Sequence, residues 1–131
     1  MARPEHLSDT DVVDALARVR AACLALPETT ERLSHGAPSF FVRDRSTFVM
    51  FHDDHHGDGI LGIWCAAPPG VQGELVETEP DRFFVPPYVG HRGWVGVRLD
   101  RAPDRAELTE IITAAYRHVA PKTLVARLDA E

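Results

Sequence analysis

Val12, Leu16, Val19, Cys23 and Leu26 recur at steps of three and four residues, which sets them along one stripe of an amphipathic helix ending at Pro27. Ser8 is placed to cap that helix, with Asp11 as a short version of the capping-box acid and Asp9 beside it in the first turn, where the helix dipole favours negative charge. A stronger stripe, Leu108, Ile111, Ile112, Ala115 and Val119, follows the Asp104-Arg105-Ala106-Glu107 capping box and runs to Pro121. Between the two stripes the period changes from 3.6 to 2. Residues 39–43 and 46–52 predict a hairpin around Arg43-Asp44-Arg45, and 60–66, 83–85 and 94–99 predict further strands. Val71 and Leu75 mark a short helix that must stop before Pro80, and Leu124, Val125 and Leu128 mark another in the tail.

Phe40, Phe41 and Val42 alternate, as do Phe48, Val49, Met50 and Phe51, so both faces of the hairpin are apolar. Helices are expected on one face and a smaller cluster on the other. In the last strand Val95, Val97 and Leu99 point into the core, while Trp94, Gly96 and Arg98 form either a second packed layer or an exposed platform. Gly62 and Trp64 share a side in the same way, and an indole over a glycine of the next strand is one means of covering bare backbone. Pro86, Pro87, Gly90 and Gly93 fix the loop that presents His91 and Arg92.

At 131 residues, with 44 % apolar and 26 % charged content, the chain is expected to be a single domain, 1–131, able to bury a core without a metal or disulfides. No apolar run reaches the roughly 20 residues of a membrane span and the start, with Arg3, Glu5 and His6, lacks a leader's apolar region, so the expected location is cytoplasmic. Cys23 and Cys65 fit as small buried hydrophobes. The net charge of −6 works against a role built on phosphate contacts, although thirteen of the fourteen basic residues are arginine, the side chain suited to planar anions.

The 52–59 stretch, His52-Asp53-Asp54-His55-His56-Gly57-Asp58-Gly59, has the residue types of a divalent-metal site but reads first as a polar turn, and no metal ligands or cofactor are assigned. No glycine-rich phosphate loop, Gly-x-Ser-x-Gly elbow or His-Glu-x-x-His motif is present, so the chain is not expected to be an enzyme.

Leu26-Pro27-Glu28, Ser34-His35-Gly36-Ala37-Pro38-Ser39-Phe40, and Gly93-Trp94-Val95-Gly96-Val97 followed by the capped helix with Ala115-Tyr116 make the chain resemble the YjbR/MmcQ family over nearly its whole length. The resemblance implies an α+β fold like that of CyaY and frataxin, a twisted antiparallel sheet with the N- and C-terminal helices packed side by side on one face. Similar proteins are often labelled DNA-binding, through a double-wing arrangement. If that holds here, Arg43, Arg45, Arg92 and Arg98, with Trp94 as a stacking surface, would form the nucleic-acid face. The absence of asparagine and the single glutamine, Gln72, leave few side chains that read adenine. A formyltransferase label also occurs among similar proteins, but a set requiring asparagine is not available to this chain.

A second expectation is a small-molecule or protein-partner groove beside the 86–94 loop, using His35, Tyr88, His91, Arg92 and Trp94. Divalent-metal binding through the 52–58 loop, or through Glu5, Asp9, Asp11 and Asp14 at the first helix, ranks third.

Overall fold

The computed structural model describes residues 8–101 and 103–130; Glu5, named above with the acidic helix end, lies outside them. Helix α1 (Asp9–Leu24) opens on a reciprocal capping box in which the Ser8 hydroxyl accepts from the Asp11 N–H and the Asp11 carboxylate accepts from the Ser8 N–H. Six strands follow, β1 (Thr29–Ser34), β2 (Ala37–Val42), β3 (Ser46–Asp53), β4 (Leu61–Cys65), β5 (Phe83–Phe84) and β6 (Val95–Arg98). They make one antiparallel sheet in the order β1-β2-β3-β4-β6-β5, so the chain steps outward from β4 before returning to pair β6 beside it. Helices α2 (Val71–Thr78), α3 (Arg105–Val119) and α4 (Lys122–Ala130) complete the fold, and Asp104 caps α3 by accepting from the Glu107 N–H. Among the described residues no helix is long and apolar enough to cross a membrane.

The register assigns the faces. Val49, Cys65 and Val95 lie in one row, with Phe51, Ile63, Val97 and Phe83 in the next; both rows face the helices, where Val19 and Cys23 of α1 and Ile112 and Ala115 of α3 complete the core. A bulge between Phe40 and Phe41 leaves Phe48 without a ladder partner, and its ring meets the edge of Tyr116 from α3 at 5.7 Å. The Tyr116 hydroxyl donates to the Pro27 carbonyl at 2.8 Å, tying the last long helix to the exit of the first.

Met50, Trp64, Gly96 and Phe84 form a row on the opposite face, beside His52, Gly62 and Arg98. The expected second cluster is therefore present, but its packing differs from the expectation of an indole over a glycine. The ring that covers Gly96 belongs to Phe84, whose atoms occupy the space of a Cβ there. At Gly62 a Cβ would stand 2.7 Å from the Val97 carbonyl oxygen.

Strand β1 was not anticipated. Its sequence, TTERLS, has no apolar alternation because it forms the margin of the sheet, and Leu33 is 71 % exposed there. Salt bridges from Glu31 to Arg20 and from Arg32 to Asp44 anchor its side chains.

Candidate functional site

The four arginines proposed for a nucleic-acid face do not assemble into one. Arg43 and Arg45 flank the β2–β3 turn, beyond the Val49–Cys65–Val95 end of the sheet, whereas Arg98 lies in the His52–Gly62 row toward the other end. Arg43 pairs with Glu28 at 3.1 Å, and Arg98 forks onto the buried carboxylate of Asp100 at 3.1 and 3.0 Å. Arg92 is exposed and its guanidinium stands 5.3 Å from the Trp94 ring. Trp94 itself is only 4 % exposed, so its indole is part of the interior and not a surface on which a base can stack. Glu31, Asp44, Glu79, Glu107 and Asp129 engage further arginines of the chain in the same manner.

The residues proposed for a groove divide between two places. His91 is exposed on the 3₁₀ turn Gly90–Arg92, with Arg92 and Trp94 near it in sequence. Tyr88 joins a different group, centred on Trp64, and His35 lines a hollow beside it. The His52 imidazole stacks on that indole, with ring centroids 3.7 Å apart and planes inclined by 31°. His55 meets the indole at 4.9 Å and His52 at 4.9 Å, both edge to face, while Tyr88 closes from outside at 5.9 Å from His55 and 6.5 Å from Trp64. Trp64 is left 3 % exposed. Beside this stack, His35, Pro38, Phe51, His52, Asp53 and His55 line a hollow of about 270 Å³ between the β1–β2 turn and the end of β3.

Local backbone geometry holds the group in place. His35, Asp54, His56 and Tyr88 all have left-handed φ values, 51°, 61°, 48° and 66°, in a region that costs a residue with a Cβ about 1 kcal/mol or more. Asp54 and Asp58 are consumed in forming the loop, since their carboxylates accept from the Gly59 N–H at 2.7 Å and the Ile60 N–H at 2.8 Å. Among the described residues no three His, Cys, Asp or Glu side chains converge as a metal site would require.

The chemistry of the hollow follows from burial. The Nε2 atom of His52 is shielded from solvent and has no hydrogen-bond partner among the described residues. Burial, then the neighbouring His55 and His56, pushes the His52 pKa down to about 4 from its ordinary 6.5; burial also lowers that of His55. At neutral pH the His52 ring is uncharged, with one nitrogen able to donate and the other to accept.

This arrangement has a measurable consequence. The unfolded chain takes up a proton at His52 near pH 6.5 and the folded chain only near 4, so acidification through that window favours unfolding. With allowance for solvent reaching part of the ring, wild type is expected to lose about 1–2 kcal/mol more than His52→Phe between pH 6.5 and 4. Urea titrations of both proteins across the range provide the check, and equal losses would disprove the neutral buried imidazole.

His52, His55 and Trp64 are the members of this group that the sequence assigned to a polar turn and to packing. The one signal that could have joined them is parity: His52 and Trp64 each fall on the face opposite the helices once β3 and β4 are paired.

A family model described as YjbR matches residues 24–118. Among solved structures, the crystal structure of Deinococcus radiodurans protein DR2400, with a domain described as DUF419, aligns at a TM-score of 0.68 over 87 % of each chain. The two sequences are 18 % identical, so the likeness is one of fold. No curated protein gives a significant match to the chain.

Proposed function

Taking as premise that the chain belongs to the YjbR family, we propose that it is a binding module, not an enzyme, and that it takes up a small planar heteroaromatic molecule in the hollow beside Trp64. The observation that carries this reading is the unpartnered, buried Nε2 of His52, on a ring that lines that hollow and stacks at an inclination of 31° on the Trp64 indole. A buried polar atom left unsatisfied costs about 1–3 kcal/mol, which a ligand that displaces the side chains covering it and supplies the missing hydrogen bond recovers in part. The volume, about 270 Å³, suits one ring system and is too small for a dinucleotide. The uncharged His52 imidazole favours a neutral heterocycle over an anion, in keeping with the net charge of −6.

DNA binding, the reading that came with the family resemblance, has less support. Arg43 and Arg98 are engaged with carboxylates, Trp94 is buried, and only Arg45 and Arg92 of that set remain as exposed cations without an ion pair among the described residues. A duplex bound through so few phosphate contacts would dissociate at moderate salt.

Titration of the Trp94→Phe variant with adenosine and guanosine tests the proposal, because Trp64 is then the only indole. A saturable change in its emission is expected with at least one nucleoside, weakened tenfold or more by the further change His52→Ala. No saturable response to either, or a response unaffected at position 52, counts against it; salt-sensitive retention on a duplex-DNA column would restore the arginine face.

A further inference from the structure

On the helix side of the sheet, the face opposite Trp64, α2 and α3 stand apart and leave a groove of about 290 Å³. Its floor is Cys65, Ala67 and Val95, and its walls are Val71 and Leu75 of α2 and Ile111 of α3. The Cys65 thiol donates weakly to the Val95 carbonyl at 3.6 Å, and burial pushes its pKa up to about 12, so the floor is chemically inert. Almost nothing polar faces inward. The exception is Glu110, exposed at the α3 lip, and Glu74 occupies the outer flank of α2, one turn beyond Val71.

The lining of this groove carries a single charge, that of Glu110. Neither Glu74 nor Glu110 has an ion-pair partner among the described residues, whereas the nearby Glu79 and Glu107 are both satisfied by Arg82, at 2.8 and 2.5 Å. No cation lines the groove. We propose that it is a docking site for a basic peptide segment of a partner protein, which inserts one or two aliphatic side chains between α2 and α3 while its lysine or arginine residues meet Glu74 and Glu110. The volume holds one leucine-sized side chain fully and a second in part, as in a helix or turn laid along a groove with anchors at i and i+3 or i+4. The net charge of −6 favours the encounter over longer range. This inference does not depend on the ligand proposed for the other face.

The probe is a synthetic peptide of about twelve residues carrying leucine and lysine at helical spacing, compared with a Lys/Ser peptide lacking the anchors and a Glu/Leu peptide lacking the charge. Binding is followed by calorimetry and by amide shift changes in the full chain. The Lys/Leu peptide is expected to bind one to one, to move the signals of Val71, Leu75 and Ile111, and to weaken at least tenfold in Glu74→Lys with Glu110→Lys. Ala114→Leu, at an exposed position on the groove wall, should obstruct it without disturbing the core. Equal binding of either control peptide, shifts that map elsewhere, no binding of the Lys/Leu peptide, or concentration-dependent shifts at the same residues without peptide, which would mark a second copy as the occupant, each overturns the proposal.

Discussion

Replacing Tyr116 with alanine is expected to cost about 3–5 kcal/mol of folding stability, the largest loss from any single truncation considered in this protein. The side chain is completely buried, its ring packs edge-on against Phe48, and its hydroxyl satisfies the carbonyl of Pro27 across 89 residues of sequence. Truncation thus opens a cavity below α3, breaks a contact with the bulge in β3, and strands a carbonyl where α1 gives way to β1. Tyr116→Phe separates these effects, since it keeps the ring and removes only the hydrogen bond, for an expected loss of about 1–2 kcal/mol. A domain of this size is typically stable by only about 5–15 kcal/mol, so the alanine variant should show a much lower urea midpoint. If its loss were no greater than that of the phenylalanine variant, the ring would not be the element that fastens α3 to the sheet.

The second large effect belongs to Gly62. An added methyl would stand 2.7 Å from the Val97 carbonyl oxygen, an atom fixed in the sheet backbone that cannot rotate away. Gly62→Ala is expected to destabilise by about 1–3 kcal/mol through forced separation of β4 and β6. Gly96→Ala meets the ring of Phe84, which sits on the two-residue edge strand β5 and can swing aside, so its cost should be smaller. Gly73→Ala supplies the opposite sign. It lies within α2 with nothing in the way of a Cβ, and helix propensity alone should raise stability by about 0.5–1 kcal/mol. Melting curves of the three variants measured together give the order, and a Gly62→Ala protein as stable as wild type would refute the close approach of the two strands.

Much of the fold could be read from periodicity because most elements bury one face against one neighbour. The Val19–Cys23 stripe, the Asp104 cap and the alternation of Val95 and Val97 each report a single local requirement, and the structure meets all of them. β1 escaped notice because a marginal strand with little buried surface leaves no hydrophobic signature in Thr29–Ser34. The fate of Trp94 was undecidable for a different reason. Alternation places an indole on a face but cannot say whether distant loops fold over that face, and here the outward side of the sheet is a second packed layer. The candidate site divided along the same line. His35 and Tyr88 stand out as turn residues beside glycine and proline, yet their meeting with His52, His55 and Trp64 depends on pairings between strands far apart in the chain.

The free margin at β1 has a further implication for how copies of the molecule behave toward each other. Two identical margins joined antiparallel about a twofold axis normal to the sheet must keep their helices on one side, which requires some residue to face its own duplicate. In the middle of Thr29–Ser34 that residue is Glu31 or Arg32, so any self-templated ribbon would begin with two like charges in opposition. The exposed border thereby resists edge-to-edge pairing with a second copy without needing to be covered.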